Sequence, residues 1–157
     1  MTSLEDFAKG VFAPTEAVFS EQQSVSPMWF LDSPDGIMVV CTPWGSDQER
    51  DAAIAYLRTL MKEKGVTRYA SLAEVWTLSA DKEQGLPESI RLGGAVASHP
   101  DRREAVILIA QDKSGDCVCI TRYILRPEVG KATLSEPDIK KFNNKSLQGR
   151  MANLLED

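Results

Sequence analysis

One histidine, His99, is the whole supply of imidazole in this chain, and that scarcity removes histidine-rich metal centres from consideration. The three cysteines, Cys41, Cys117 and Cys119, contain no CxxC pair, and an odd number cannot pair off completely. They read as reduced thiols in a cytoplasm, used as small core residues rather than as ligands. No apolar stretch approaches the roughly 18 residues of a membrane span. The opening "MTSLEDFAKG" is acidic where a secretory signal is basic, and no apolar segment with a cleavage site follows it. GxSxG, HExxH and GxGxxG are all missing, and the glycine pair in "RLGGAV" has no strand leading into it and no GKS or GKT after it. The common signatures of hydrolases, zinc proteases and phosphate-binding loops are therefore absent.

What is present is the composition of an ordinary globular protein. The chain has 157 residues, 43% hydrophobic and 26% charged, which suits a single domain over 1–157 with one core. A net charge of -5 and a pI near 5.0 argue against an extensive nucleic-acid surface, while leaving room for a local basic patch such as Arg102 and Arg103.

Local signals divide the chain into a helical N-terminal arm (1–27), a core (28–127) and a helical C-terminal arm (131–157). "SLED" at 3–6 is a helix start with Leu4, Phe7, Ala8 and Val11 inward, and Pro14 breaks or restarts that helix. "MWFLDSPDGIMVVCTPW" is two apolar runs around Ser33, Pro34, Asp35 and Gly36, the pattern of a hairpin. Ser46 and Glu49 then open an amphipathic helix whose stripe is Ala53, Ile54, Leu57, Leu60 and Met61, and Gly65 closes it.

"TRYASLAEVWTLSA" predicts a strand with Leu72, Glu74, Trp76 and Leu78 on one face. Residues 81–100 read as a long connection, and "EAVILIAQD" with "CVCITRYILRP" around "KSGD" reads as a second hairpin with a central strand. The last segment offers Ser135 as a cap, Pro137 in the first turn, and Leu147, Met151, Leu154 and Leu155 as a stripe, so helix is expected there. The expected fold is α+β: a mostly antiparallel sheet of about five strands, one main helix packed on it, and helices to one side. Either terminal arm is short of large apolar residues and suits docking on the main body or on a second copy, a route to a homo-oligomer.

The chemistry-bearing residues gather at one strand start. His99, Asp101, Arg102, Arg103 and Glu104 lie where the long connection meets the fourth strand, and Glu74 belongs to the strand before it. General acid and base work would fall to His99, a divalent metal to Glu74, Asp101 and Glu104, and an arginine would clamp a phosphate or carboxylate. The plain alternative is an ion pair and a His-Pro turn. Glu74 lies between Leu72 and Trp76, so it needs either a cationic partner or an edge open to water. Trp44, in "TPWGSD" at a strand-to-helix corner, can stack on an anionic ligand, and Trp76 is the other aromatic candidate.

Glu74 and Trp76 as Glu-x-Trp, with His99, Pro100, Asp101, Arg102 and Glu104 as His-Pro-Asp-Arg-x-Glu, resemble a family of small, uncharacterised proteins associated with phages and bacterial prophage regions. The resemblance spans roughly 28–127 and implies a setting, the cytoplasm of a bacterial host, without implying a reaction or a cofactor. Two functions follow. One is a non-catalytic accessory protein that binds a host protein or a small anionic, nucleotide-like ligand through Arg102, Arg103, Trp44 and Trp76. The other is a metal-dependent or acid-base hydrolase using Glu74, His99, Asp101 and Glu104.

Overall fold

A computed structural model of the protein describes residues 2–42, 45–77, 100–143 and 155. Short-range chemistry sets most of its element boundaries. The Ser3 hydroxyl accepts the Asp6 amide at 3.1 Å to start α1 (Leu4–Phe12), and Pro14 restarts the chain as α2 (Thr15–Gln22). The hairpin of β1 (Met28–Ser33) and β2 (Gly36–Cys41) turns through Pro34 and Asp35, with Gly36 at φ 126°, a value open to glycine. Helix α3 (Asp47–Lys64) is capped by Ser46, which accepts the Glu49 amide, and stops at left-handed Gly65. Glu49 reaches back to the Gly45 amide, one residue upstream of the reciprocal partner a capping box uses.

β3 (Arg68–Thr77), β4 (Arg103–Asp112) and β5 (Asp116–Leu125) form the long centre of the sheet. The Asp112 carboxylate organises the β4–β5 turn by accepting the amides of Ser114 and Asp116. β6 (Thr133–Leu134) and β7 (Asp138–Asn143) both pair with β5, so the order is β2-β1-β3-β4-β5 with β6 and β7 completing the far side. Every pairing is antiparallel. The architecture is α+β, with an antiparallel sheet, as the hairpin signals predict.

Three details differ from expectation. Among the described residues the sheet has seven strands rather than about five, because the short β6 forms before Pro137 and the segment after Pro137 is strand rather than helix. Ser135, expected as a helix cap, accepts the Tyr123 amide through its hydroxyl at 2.8 Å and so ends a strand pairing. Between 116 and 121 β5 presents an open row of backbone donors and acceptors, and pairing them outweighs a weak helix-start signal. Ile139 and Phe142 support this, since they point to opposite faces and each is half-buried. The remaining stripe, Leu147, Met151 and Leu154, lies outside the described residues; Leu155 packs against the core under α3.

The helices also occupy both faces of the sheet. Phe7, Ala8, Phe12 and Phe19 from α1 and α2 pack on Ala70, Leu72, Val106, Leu108, Val118 and Ile120. Ile54, Leu57 and Met61 of α3 pack on Trp29, Leu31 and Tyr69, which alternate with the residues of the first core and so face the other way. The N-terminal arm thus lies on the main body. No described helix is long and apolar enough to cross a membrane.

The thiols are free. Cys41 is exposed and Cys117 buried, and burial pushes the Cys117 thiol up to about 11.

Candidate functional site

β3 runs further than its neighbour β1. Met28 of β1 pairs with Leu72, so Ala73 to Thr77 pair with β4 alone, up to Trp76 opposite Glu104 and Thr77 opposite Arg103. That leaves one end of β3, β4 and β5 outside the shelter of the β1–β2 hairpin. The hairpin register carries on past the ladder: Gln111 faces Cys117 and Ala105 faces Tyr123, so continuing the count sets Arg126 across from Arg102. The return of the chain into β6 then brings Lys131 alongside.

The result is an open cleft of about 570 Å³ lined by Trp76, Arg102, Arg103, Glu104, Arg126 and Lys131, with apolar Ile124, Leu125 and Pro127 and the hydroxyl-bearing Thr133 completing the lining. Four cations against one carboxylate make it a positive spot on a chain of net charge -5. Its arginines are held in different ways. The Arg102 guanidinium lies 4.6 Å from the centre of the Trp76 ring, and that of Arg103 lies 3.6 Å from the centre of the Tyr123 ring. Stacking of this kind fixes the orientation of the planar fork against the ring face.

Arg126 is held by its edge instead. Its Nε donates to one Glu104 oxygen and a terminal nitrogen donates to the other at 3.2 Å, the two-point geometry of an arginine on a carboxylate. Hydrogen bonding to Glu104 raises the Arg126 guanidinium above its ordinary value, with the Glu74 charge adding to it. Lys131 makes no ion pair with a described residue, and Trp76 keeps 43% of its surface exposed.

Sequence reasoning singled out Trp76, Arg102, Arg103 and Glu104, and all four line this cleft. Glu74 shares a face with Trp76 and pairs with Val106, one diagonal step from Glu104, but does not line the cleft. Its carboxylate accepts the Val25 amide at 2.8 Å, so its partner is a backbone N–H and not an arginine. Asp101 is exposed in the turn before β4. His99 and Trp44 lie outside the described residues. Among the described residues no three His, Cys, Asp or Glu side chains group as a metal site requires.

Arg126 and Lys131 were not anticipated. Arg126 was within reach of the sequence, because counting outward from the tight "KSG" turn sets it opposite Arg102; Lys131 depends on the return through β6, which no local pattern announces. Comparison with known proteins adds nothing to this geometry: no family model, no curated protein and no solved structure matches the chain.

Proposed function

We propose that this protein is a non-catalytic binding module, a phage or prophage accessory protein, that takes a small anionic, nucleotide-like ligand in the cleft at the end of β3, β4 and β5. The observation that carries the proposal is the convergence of Arg102, Arg103, Arg126 and Lys131 around Trp76. Arginine forks match the paired oxygens of a phosphate, an aromatic ring beside them can stack on a base, and about 570 Å³ lies in the range of small-molecule sites.

Binding rather than catalysis is favoured because the two nearby carboxylates are engaged, Glu104 by Arg126 and Glu74 by the Val25 amide. A general base needs a lone pair directed at its substrate. A phosphate arriving at Arg126 competes with Glu104, so moderate affinity is expected.

Titration with ATP, ADP and inorganic phosphate, followed by tryptophan fluorescence and calorimetry, tests the proposal. Saturable binding that weakens at least about tenfold in an Arg102→Ala, Arg103→Ala double variant, and falls as salt rises, supports it; each lost charged contact is worth roughly 1.5–3 kcal/mol. No binding of any of the three to the folded wild type sinks it and turns the search to a host protein.

A further inference from the structure

The two edges of the sheet are built differently. At the far edge β7 carries Asp138, Lys140 and Lys141, all exposed, directly after Pro137, and β6 is only 2 residues long. Charges, proline and shortness are the usual devices by which an edge strand refuses a further strand. β2, at the opposite edge, has none of them. Its sequence "GIMVVC" is uncharged, and it pairs with β1 over Met28–Cys41 to Ser33–Gly36 without a bulge. No described strand pairs with its outer side.

The exposed side chains on that edge are apolar. Met38 and Val40 pack toward α3, while Ile37 and Val39, on the other face, remain 52% and 54% exposed, with Cys41 exposed beside them. Antiparallel pairs alternate in hydrogen bonding, and the pair that closes a two-residue turn, here Ser33–Gly36, is a bonded one. The amides and carbonyls of Ile37, Val39 and Cys41 therefore point away from β1. The same three residues carry open backbone groups and exposed side chains.

We infer that β2 pairs with β2 of a second copy of this chain, antiparallel about a two-fold axis at Val39. In that register Val39 meets its own counterpart, Ile37 meets Cys41 of the other copy, and Met38 meets Val40. Every outward backbone group then faces a complementary one, and the exposed apolar residues of both copies share one face. Charge favours this occupant: the edge holds no charged residue, and the antiparallel arrangement carries each Asp35 to the opposite end from its counterpart, so no like charges meet. The two sheets join into one. An interface of a single strand per copy is small, so dimerisation in the micromolar range is expected. It lies at the other end of the strand order from the cationic cleft and is independent of what that cleft binds.

Sedimentation equilibrium and light scattering of the full chain, over about 1–300 µM, are the first measurement. The expected result is a mass rising from 17.3 kDa toward twice that value. Val39→Lys should keep the native circular dichroism and remain monomeric throughout. Because that variant can fail to fold, Val39→Cys in a Cys41→Ser background provides a second test: only at the two-fold does a residue meet its own copy, within the Cα spacing a disulfide spans. Oxidation should then give a covalent dimer, reversed by reductant. A wild type that stays monomeric at all concentrations, a dimer indifferent to Val39→Lys, or an absent Val39→Cys cross-link each overturns the inference.

Discussion

Arg68 shows how one side chain can hold several elements at once. Its Nε donates to Asp32 at 2.6 Å, one terminal nitrogen donates to the Thr2 and Ser3 carbonyls, the other donates to the Thr2 hydroxyl, and the guanidinium lies over the Phe7 ring. With 11% of its side chain exposed, it joins β3, β1 and the start of α1 in a position water scarcely reaches. Removing one member of a buried pair leaves the other charge without compensation. Arg68→Met should cost about 2–4 kcal/mol in urea unfolding, below the fully buried limit because Asp32 keeps 23% exposure. Arg68→Lys should recover only a minority of that loss, since a single ammonium cannot reach all these acceptors. Nothing local in the sequence around Arg68 reveals that the N-terminus returns to it.

Among the elements, α2 and β6 are tied together by one residue. Gln23 ends α2 in a left-handed conformation, φ 59°, and its side-chain amide donates to the Ala132 carbonyl and accepts the Ala132 amide, as a short stretch of β ladder would. The same nitrogen lies within reach of the Phe19 and Ser20 carbonyls at the helix end. Gln23→Ala should destabilise by about 1–3 kcal/mol, because the Ala132 amide and carbonyl lose their partner in a partly buried place. Gln23→Gly relieves the backbone strain but not the lost clamp, and so should fall short of wild type as well. Amide exchange at Ala132, read by NMR, should quicken in both variants. β7 belongs to the same lesson: the segment expected as helix is recruited by the open edge of β5, with Arg122 donating to the Ser135 carbonyl to hold the approach.

For the whole molecule, ion pairs link the N-terminal helices to the far half of the sheet. Lys141 and then Lys9 lower the Glu5 carboxyl below its ordinary 4.5, and Arg122 lowers that of Glu16. A lowered carboxyl contributes stability above 4.5 that is lost as pH falls through the depressed folded value. Cys117 acts at the other end: burial first, then the charges of Asp112 and Asp116, raise its thiol from 9.0 to about 11. Its contribution is present below 9 and lost as pH rises toward 11. Urea midpoints measured from acid to alkali should therefore form a plateau between these limits. Lys141→Met should flatten the acid limb slightly, the pair being exposed, and Cys117→Ala should flatten the alkaline one.

What the sequence determined by itself is what neighbouring residues decide among themselves. Ser3, Pro14, Ser46 and Gly65 mark the ends of α1, α2 and α3, and Pro34, Asp35 and Gly36 with the "KSG" turn define two hairpins, because caps and tight turns are closed by atoms a few residues apart. The run of Arg102, Arg103 and Glu104 at one strand start was legible as a stretch of sequence, whereas Trp76 joins it only through the β3–β4 register. Only tertiary structure decided the rest: that the helices cover both faces, that 138–143 is strand, that Glu74 receives Val25, and that Arg126 and Lys131 complete the cleft. The physical reason is that an open strand edge or a bare sheet face accepts any segment able to supply hydrogen bonds or apolar surface. Which segment arrives is settled by chain path and competition between distant pieces, and no local pattern records that outcome.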